Sequence, residues 1–174
     1  MKVPGWRLLA IAKSIDVTTR RYLDRGFMDL GAYLSGYADG EGCFCVTFNR
    51  SKRHTLGWDI RPSFSVSQNH DRAQVLELFH KTFGCGTIRP DRSDRTLKYE
   101  VRSAPEIVTN VVPHFKRYPM VSSKQREFEV FASICEMMNH GEHRTRIGFN
   151  QIVAMATELN PVGKKKYPRF EIKV

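Results

Sequence analysis

The sequence contains no hydrophobic run close to the roughly 18 apolar residues that a membrane-spanning helix needs. Residues Met1 to Arg7 lead into no apolar segment of the length found in secretory signals. A chain of 174 residues that is 41% hydrophobic is large enough to fill one core. We therefore expect one globular domain in a soluble, intracellular protein, cytoplasmic or organellar, with no membrane partner.

Paired cysteines are missing as well. Cys43, Cys45, Cys85 and Cys135 form no C-x-x-C pair, and their scatter fits neither a zinc ribbon nor a small disulfide scaffold. We expect four free thiols and no structural zinc.

Acidic residues are scarce, because 18 Asp and Glu oppose 28 Lys and Arg and leave a net charge of +10. The excess is clustered: it is +4 in residues 1–28, +4 in residues 161–174 and +5 in residues 43–102. Such clustering favours a polyanionic partner, with nucleic acid first. We interpret residues 1–28 as a basic N-terminal extension, residues 29–160 as the domain and residues 161–174 as a basic tail.

The domain alternates between helical and strand-like segments. Capping boxes are expected at three helix starts, namely Asp71 with Gln74, Ser103 with Glu106, and Ser122 with Gln125. The predicted helices are 30–38 (capped by Asp29 and stopped by Gly40 and Gly42), one from Asp71 to Gly84, one from Ser103 that ends before Pro113, 123–138 and 147–159. The predicted strands are 43–49, 58–66, 86–90 and 96–102.

Two hairpins in one domain predict one antiparallel sheet in an α+β fold, with helices on its apolar face. The opposite face is rich in Arg, Lys, Ser, Thr and Asn. A ribbon of that polarity suits a DNA major groove. Pro62 indicates an edge or a bulge in its strand.

The first predicted helix carries small residues on one face, namely Ala32, Ser35 and Gly36. Small residues allow another helix to approach closely, and the sequence holds no second copy of this segment. We therefore expect a dimer interface made of Ala32, Ser35, Gly36 and Asp39, formed with another subunit across a two-fold axis.

Two carboxylates, Asp39 and Glu41, follow this helix, where the helix dipole disfavours negative charge. A two-fold axis would bring the acids of both subunits together, and a divalent cation would relieve the repulsion. Oxygen ligands fit Mg²⁺, or Mn²⁺ or Ca²⁺ in its place. Taken alone, the tetrapeptide Asp-Gly-Glu-Gly is a weak signal, and a plain turn is then the first interpretation.

The order of these motifs resembles the LAGLIDADG homing endonucleases over roughly residues 29–166. The matching segments are LSGYADGEG (34–42), FSVSQ (64–68), FGCG (83–86), YEV (99–101), KQ (124–125) and ELNPVGKKK (158–166). The resemblance implies an αββαββα fold with a saddle-shaped four-stranded antiparallel sheet. One motif copy is similar to the homodimeric branch, whose members cut long, nearly palindromic DNA sites, leave short 3′ overhangs and spread introns or inteins.

The same resemblance implies roles for individual residues. Glu41 matches the catalytic carboxylate that binds metal, and Gly40 would offer its carbonyl oxygen to the ion. Asp39 matches an acid whose role is mainly structural. Gln68 matches a residue that positions water, while Arg72 and Lys124 match the basic periphery of the active site. Ser122 departs from the pattern, because some relatives carry a Lys there.

Alternation along the strands predicts the residues that face DNA, with Arg61 and Arg89 as the best candidates for guanine contacts. A solvated basic surface explains any single loop lysine equally well. The base-facing set is Thr47, Asn49, Ser51, Asp59, Arg61, Ser63, Ser65, Arg89, Asp91, Lys98, Glu100 and Arg102; the phosphate-facing set is Arg50, Lys52, Arg53, Lys116, Lys165 and Lys166.

Three functions remain open from the sequence. The first is a homodimeric, metal-dependent endonuclease acting on double-stranded DNA. The second is a binding protein on the same fold, either an RNA maturase that binds its intron RNA or a DNA regulator that does not cut. The third is an unrelated, monomeric RNA-binding domain.

Overall fold

Every strand in the described residues, 29–91 and 96–159 of the computed structural model, belongs to one antiparallel sheet. The two predicted hairpins meet through their longer strands, β2 and β4, and this confirms the α+β prediction. The strands are β1 (Gly42–Arg50), β2 (Trp58–Asn69), β3 (Thr87–Pro90) and β4 (Thr96–Val101), in the order β1-β2-β4-β3.

Helices cover the apolar face of this sheet. No helix within the two described ranges has the length and apolarity required to cross a bilayer. The helices are α1 (Leu30–Glu41), α2 (Gln74–Phe83), α3 (Ala104–Glu106), α4 (Val112–Arg117), α5 (Lys124–Asn139) and α6 (Arg146–Leu159), with 3₁₀ turns at His70–Arg72 and Glu142–Arg144 and a π segment at Ile107–Val111.

The period-2 alternation correctly predicts the two faces of the sheet. Phe44 and Val46 of β1 are buried, while Cys43 and Asn49 are exposed. Pro62 lies beyond the last residue of β4, in a stretch where β2 pairs with β1 alone. This position confirms the expected edge, because a proline there need not donate to a second neighbouring strand.

The centre of the core is a cluster of phenylalanines that joins the sheet to the helices. Phe44 of β1 stacks on Phe64 of β2 with ring centroids 5.2 Å apart. It also meets Phe115 of α4 at 5.6 Å and Phe131 of α5 at 5.3 Å. Because β1 continues directly from α1, this packing fixes the start of β1 and therefore the end of α1.

Two predicted helix starts differ from the structure. No capping box forms at Asp71 and Gln74, since a 3₁₀ turn occupies residues 70–72 and α2 begins at Gln74 without a side-chain cap. The Ser122 and Gln125 side chains also do not cap each other. The Gln125 side chain instead accepts a hydrogen bond from the Met120 amide at 3.0 Å.

The predicted helix end before Pro113 is wrong. Helical structure continues from α3 through the π segment into α4, and Pro113 lies in the first turn of α4. The Val112 amide bonds to the Ile107 carbonyl five residues earlier. This wider turn accommodates the proline, whose ring would clash with a carbonyl in a regular helix interior.

We predict that Phe44→Ala lowers the free energy of unfolding by about 3–5 kcal/mol, because the void cannot be refilled by four surrounding rings. Urea unfolding followed by circular dichroism measures the change. Ile147→Ala is the control, since Ile147 is 75% exposed and its loss should cost less than about 0.5 kcal/mol. Equal losses for the two variants would contradict this description of the core.

Candidate active site and nucleic-acid surface

Helix α1 ends later than predicted, so both acids of the Asp-Gly-Glu-Gly segment lie in its last turn. The Gly42 amide donates to the Ala38 carbonyl and closes the helix after Glu41. A Cβ at Gly42 would lie 2.5 Å from that carbonyl oxygen. Glycine is therefore required where the helix passes directly into β1.

Asp39 binds the segment that precedes α5. Its carboxylate accepts hydrogen bonds from the Val121 amide at 3.1 Å, the Ser122 amide at 3.0 Å and the Ser122 hydroxyl. The Ser122 hydroxyl bond is the main cause that holds the pKa of Asp39 below its ordinary value. These bonds join the end of α1 to the segment before α5.

Lys124 supplies a cation at the end of α1. Its ammonium donates to the Gly42 carbonyl oxygen at 2.9 Å, and the side chain is 20% exposed. Positive charge is favourable at a helix C-terminus, where the carbonyl groups point outward. Lys124 therefore relieves part of the electrostatic conflict that the sequence presents.

Glu41 is exposed and, among the described residues, accepts no hydrogen bond and forms no ion pair. Gly40 beside it is exposed too, with nothing within 4 Å of an added Cβ. A carboxylate and a backbone carbonyl are the oxygen ligands that Mg²⁺ prefers, so these residues fit the ion. In the described ranges no group of three or more His, Cys, Asp or Glu residues can hold a metal.

Gln68 lies beside α1 at the end of β2. Its amide donates to the hydroxyl of Tyr37, one helical turn before Glu41. Its carbonyl oxygen accepts from the Asn69 amide at 2.7 Å, which fixes the orientation of the side chain. Arg72, on the 3₁₀ turn that follows, is 76% exposed and 3.9 Å from Asp71.

Ser35 lies inside its own subunit and not in the predicted dimer interface. It is 2% exposed and donates to the Tyr118 carbonyl at 2.6 Å. Its hydroxyl is also 3.3 Å from the ring of His114, and burial lowers the pKa of that ring to about 4. Ser35 thus packs inside its own subunit, whereas Ala32 and Gly36 are exposed.

The strands bring most of the predicted base-facing residues to the polar face of the sheet, which we call the open face. Two cross-strand neighbours on it are Thr47 with Arg61 and Arg89 with Lys98. Residues of the open face in the strands are Cys43, Cys45, Thr47, Asn49, Asp59, Arg61, Ser63, Ser65, Ser67, Asn69, Thr87, Arg89, Thr96, Lys98 and Glu100.

Each acidic residue of the set predicted to face DNA bases is paired with an arginine or lysine side chain. Asp59 accepts from Arg61 at 2.6 Å, and Asp91 is 3.1 Å from the Lys98 ammonium. Burial would raise the pKa of Glu100, but hydrogen bonds from Arg89, Ser63 and Arg102 outweigh it and lower that pKa. Each of these acidic residues is therefore bound to at least one neighbouring basic side chain.

The loop between β1 and β2 carries the predicted phosphate contacts. Arg50, Lys52 and Arg53 are exposed, and the Arg50 guanidinium lies 5.0 Å from the ring centre of Trp58. Ser51 turns the loop, since its hydroxyl accepts from the Arg53 amide at 3.4 Å.

One predicted phosphate contact is not brought to this surface. Lys116 lies on α4 in the helical layer, 3.0 Å from Glu136 of α5. Two others, Lys165 and Lys166, lie outside the described residues.

Tyr37 is a site residue that the sequence motifs did not indicate, although its position four residues before Glu41 places it on the same side of α1.

With this geometry established, comparisons with known proteins identify the family. The LAGLIDADG endonuclease model matches residues 34–135, which include α1, the sheet and most of α5. The chain therefore belongs to the LAGLIDADG endonuclease family.

Individual relatives agree with this assignment. The probable intron-encoded endonuclease 2 of Neurospora crassa is 26% identical over 74% of this chain and 29% of its own length. The crystal structure of a homing endonuclease, I-TnaI, has 34% identity and a TM-score of 0.72 over 78% of this chain and 92% of that one. I-SmaMI, bound to uncleaved DNA in the presence of calcium ions, has 25% identity and a TM-score of 0.73 over 84% and 53%. The chain spans 24–40% of three curated relatives.

We predict that Asp39→Asn lowers stability at neutral pH by about 1 kcal/mol, because an amide cannot accept from all three donors and the site is partly exposed. The folded-state pKa of Asp39 is lowered, so its stabilisation is present at neutral pH and is lost as the pH falls through that pKa. Urea unfolding as a function of pH should show the two proteins converging in acid. Asp71→Asn is the control, since Asp71 is 75% exposed, and a difference that persists unchanged in acid would contradict the assignment.

Proposed function

We propose that the protein is a homodimeric, divalent-metal-dependent endonuclease that cuts a long, nearly palindromic DNA site and leaves short 3′ overhangs. The observation that carries the proposal is the contrast between the two acids of α1. Asp39 is engaged by three donors, whereas Glu41 is exposed with no partner among the described residues. A protein that only binds DNA gains nothing from an unpaired carboxylate beside its basic surface.

Each side chain of the site has a distinct part in the proposed reaction. Glu41 and the Gly40 carbonyl would hold Mg²⁺, or Mn²⁺ or Ca²⁺ in its place. A bound divalent ion supplies an activated water and stabilises the leaving 3′ oxygen. Gln68, oriented through Tyr37, would position the attacking water, while Asp39 and Lys124 keep the end of α1 in place.

A second copy of α1 would complete the site, because one copy offers too few ligands for the ion. Ala32, Gly36 and Gly40 follow one another at intervals of four residues and are exposed. An added Cβ at Gly36 or Gly40 meets nothing within 4 Å, so this side of α1 has room for another helix. The chain covers 92% of I-TnaI and 53% of I-SmaMI.

Double-stranded DNA is the proposed substrate. The open face places basic and small polar side chains beside the end of α1, and no stacking aromatic residue of the kind that favours single-stranded nucleic acid lies on its described strands. I-SmaMI, the relative of similar fold, is known bound to DNA. The intron-encoded relative in Neurospora crassa supports a role in intron homing.

Glu41→Gln should bind the target site but cut it at roughly one hundredth of the wild-type rate or slower, because the amide is a poor ligand for a hard cation. Single-turnover cleavage in Mg²⁺ and a gel-shift assay in Ca²⁺ separate the two effects, with a target selected from random duplex DNA. Glu142→Gln is the control at an exposed acid outside the site. Wild-type cleavage rates in Glu41→Gln would remove Glu41 from the mechanism, and loss of binding would assign it a different role.

Gly36→Leu should abolish dimer formation and cleavage while leaving the subunit folded, since an added Cβ at this position meets nothing within 4 Å in its own subunit. Sedimentation velocity gives the mass, and circular dichroism checks the fold. Glu77→Leu is the matched control on α2, where the Glu77 side chain is 57% exposed. A Gly36→Leu protein that still dimerises would place the subunit contact elsewhere.

A further inference from the structure

Glu100 lies beneath two arginines at the middle of the open face. Its carboxylate accepts from Arg89 at 2.9 and 3.2 Å, from Arg102 at 3.0 Å and from the Ser63 hydroxyl at 2.8 Å. Its side chain is 9% exposed, against 43% for Arg89 and 61% for Arg102. The Glu100 carboxylate is therefore enclosed, and the side chains of Arg89 and Arg102 around it are exposed to solvent.

This geometry removes Glu100 from the set of direct DNA contacts. A carboxylate in a DNA-facing surface repels phosphate, and here its oxygen atoms are already occupied by donors. Asp59, near the other end of β2, pairs with one arginine, whereas Glu100 pairs with two, so the Glu100 cluster keeps a net charge of +1. The cluster can still attract DNA while the acid inside it fixes the position of the two guanidinium groups.

The two arginines differ in their exposure to solvent. Arg89 binds Glu100 through Nε and Nη2, which turns one edge of its guanidinium toward the acid, and its side chain is 43% exposed. Arg102 approaches the same carboxylate oxygen through Nε at 3.0 Å, and its side chain is 61% exposed. A guanine offers O6 and N7 side by side in the major groove, and two parallel donors match that pair.

The cluster also borders an open hollow in the surface. Arg89, Glu100 and Arg102 line it together with Gly86, Thr87, Ser103 and Glu106, and its volume is about 380 Å³. The hollow leaves room for the edge of a DNA base beside Arg102.

We infer that Glu100 is a positioning residue for sequence recognition, which holds Arg102 ready for a bidentate contact with guanine and Arg89 beside it. The inference rests on the proposed binding of double-stranded DNA. It makes Arg102, rather than Arg89, the better candidate for a guanine contact. The energetic advantage is pre-organisation, because the long arginine side chain is ordered before DNA arrives.

Glu100→Gln tests this role with a readout that a merely structural ion pair would not change. The full-length protein is incubated in Ca²⁺ with single-base-pair variants of a duplex that the wild-type protein selects from a random library. We expect discrimination at one guanine position in each half-site to fall roughly five- to a hundredfold. Binding to random duplex DNA should become tighter at the same time, since a negative charge has been removed.

Three further variants complete the experiment. Arg102→Lys should relax the same position, because an ammonium group cannot form the paired contact. Glu77→Gln changes the charge by the same amount on α2 and should tighten non-specific binding slightly without altering discrimination. Thermal unfolding of each variant identifies any loss of fold, and Glu100→Asp, which keeps the charge, should restore part of the discrimination.

The outcomes separate this inference from the proposed function. If the wild-type protein selects no duplex, the proposed function fails. If it selects a site and Glu100→Gln keeps the full wild-type discrimination profile, the positioning role is overturned while the proposed function stands. Uniform loss of affinity for every duplex in a folded Glu100→Gln protein would also overturn it.

Discussion

The hydrogen bonds that attach the end of α1 to the start of α5 are the interaction on which the rest of the site depends. Asp39 accepts from Val121 and Ser122, while Lys124 donates to Gly42. These bonds neutralise the local conflict between acids and the helix dipole within one subunit. They also fix the direction of the helix end, so that Glu41 is presented outward as an available ligand.

The charged side chains of the open face are also paired within the subunit. Its acidic residues are paired with basic residues, of which Arg61 and Arg89 remain exposed. The surface therefore keeps its positive character, while several side chains lose rotational freedom before any partner binds. The ion pairs on this surface contribute little stability where they are solvated. Their more useful effect is to order the side chains that would contact DNA.

Alternation predicted the strands and their faces well, because a period of two depends on local sequence and on one buried face. The helix ends were less predictable. Asp39 finds its donors 82 and 83 residues away in the chain, and Ser35 is buried by Tyr118, 83 residues away. No local pattern contains such partners. The contacts of Tyr37, Ser122 and Lys124 were unpredictable for the same reason, since each of them is a tertiary contact.

The central claim is that Glu41 binds a divalent ion jointly with DNA and a second subunit. Electron paramagnetic resonance of free Mn²⁺, titrated into the protein with and without its selected duplex, measures this binding directly. We expect tight Mn²⁺ uptake by the protein–DNA complex, and we expect none by the free protein or by the Glu41→Gln complex. Equal uptake by the wild-type and Glu41→Gln complexes would contradict it.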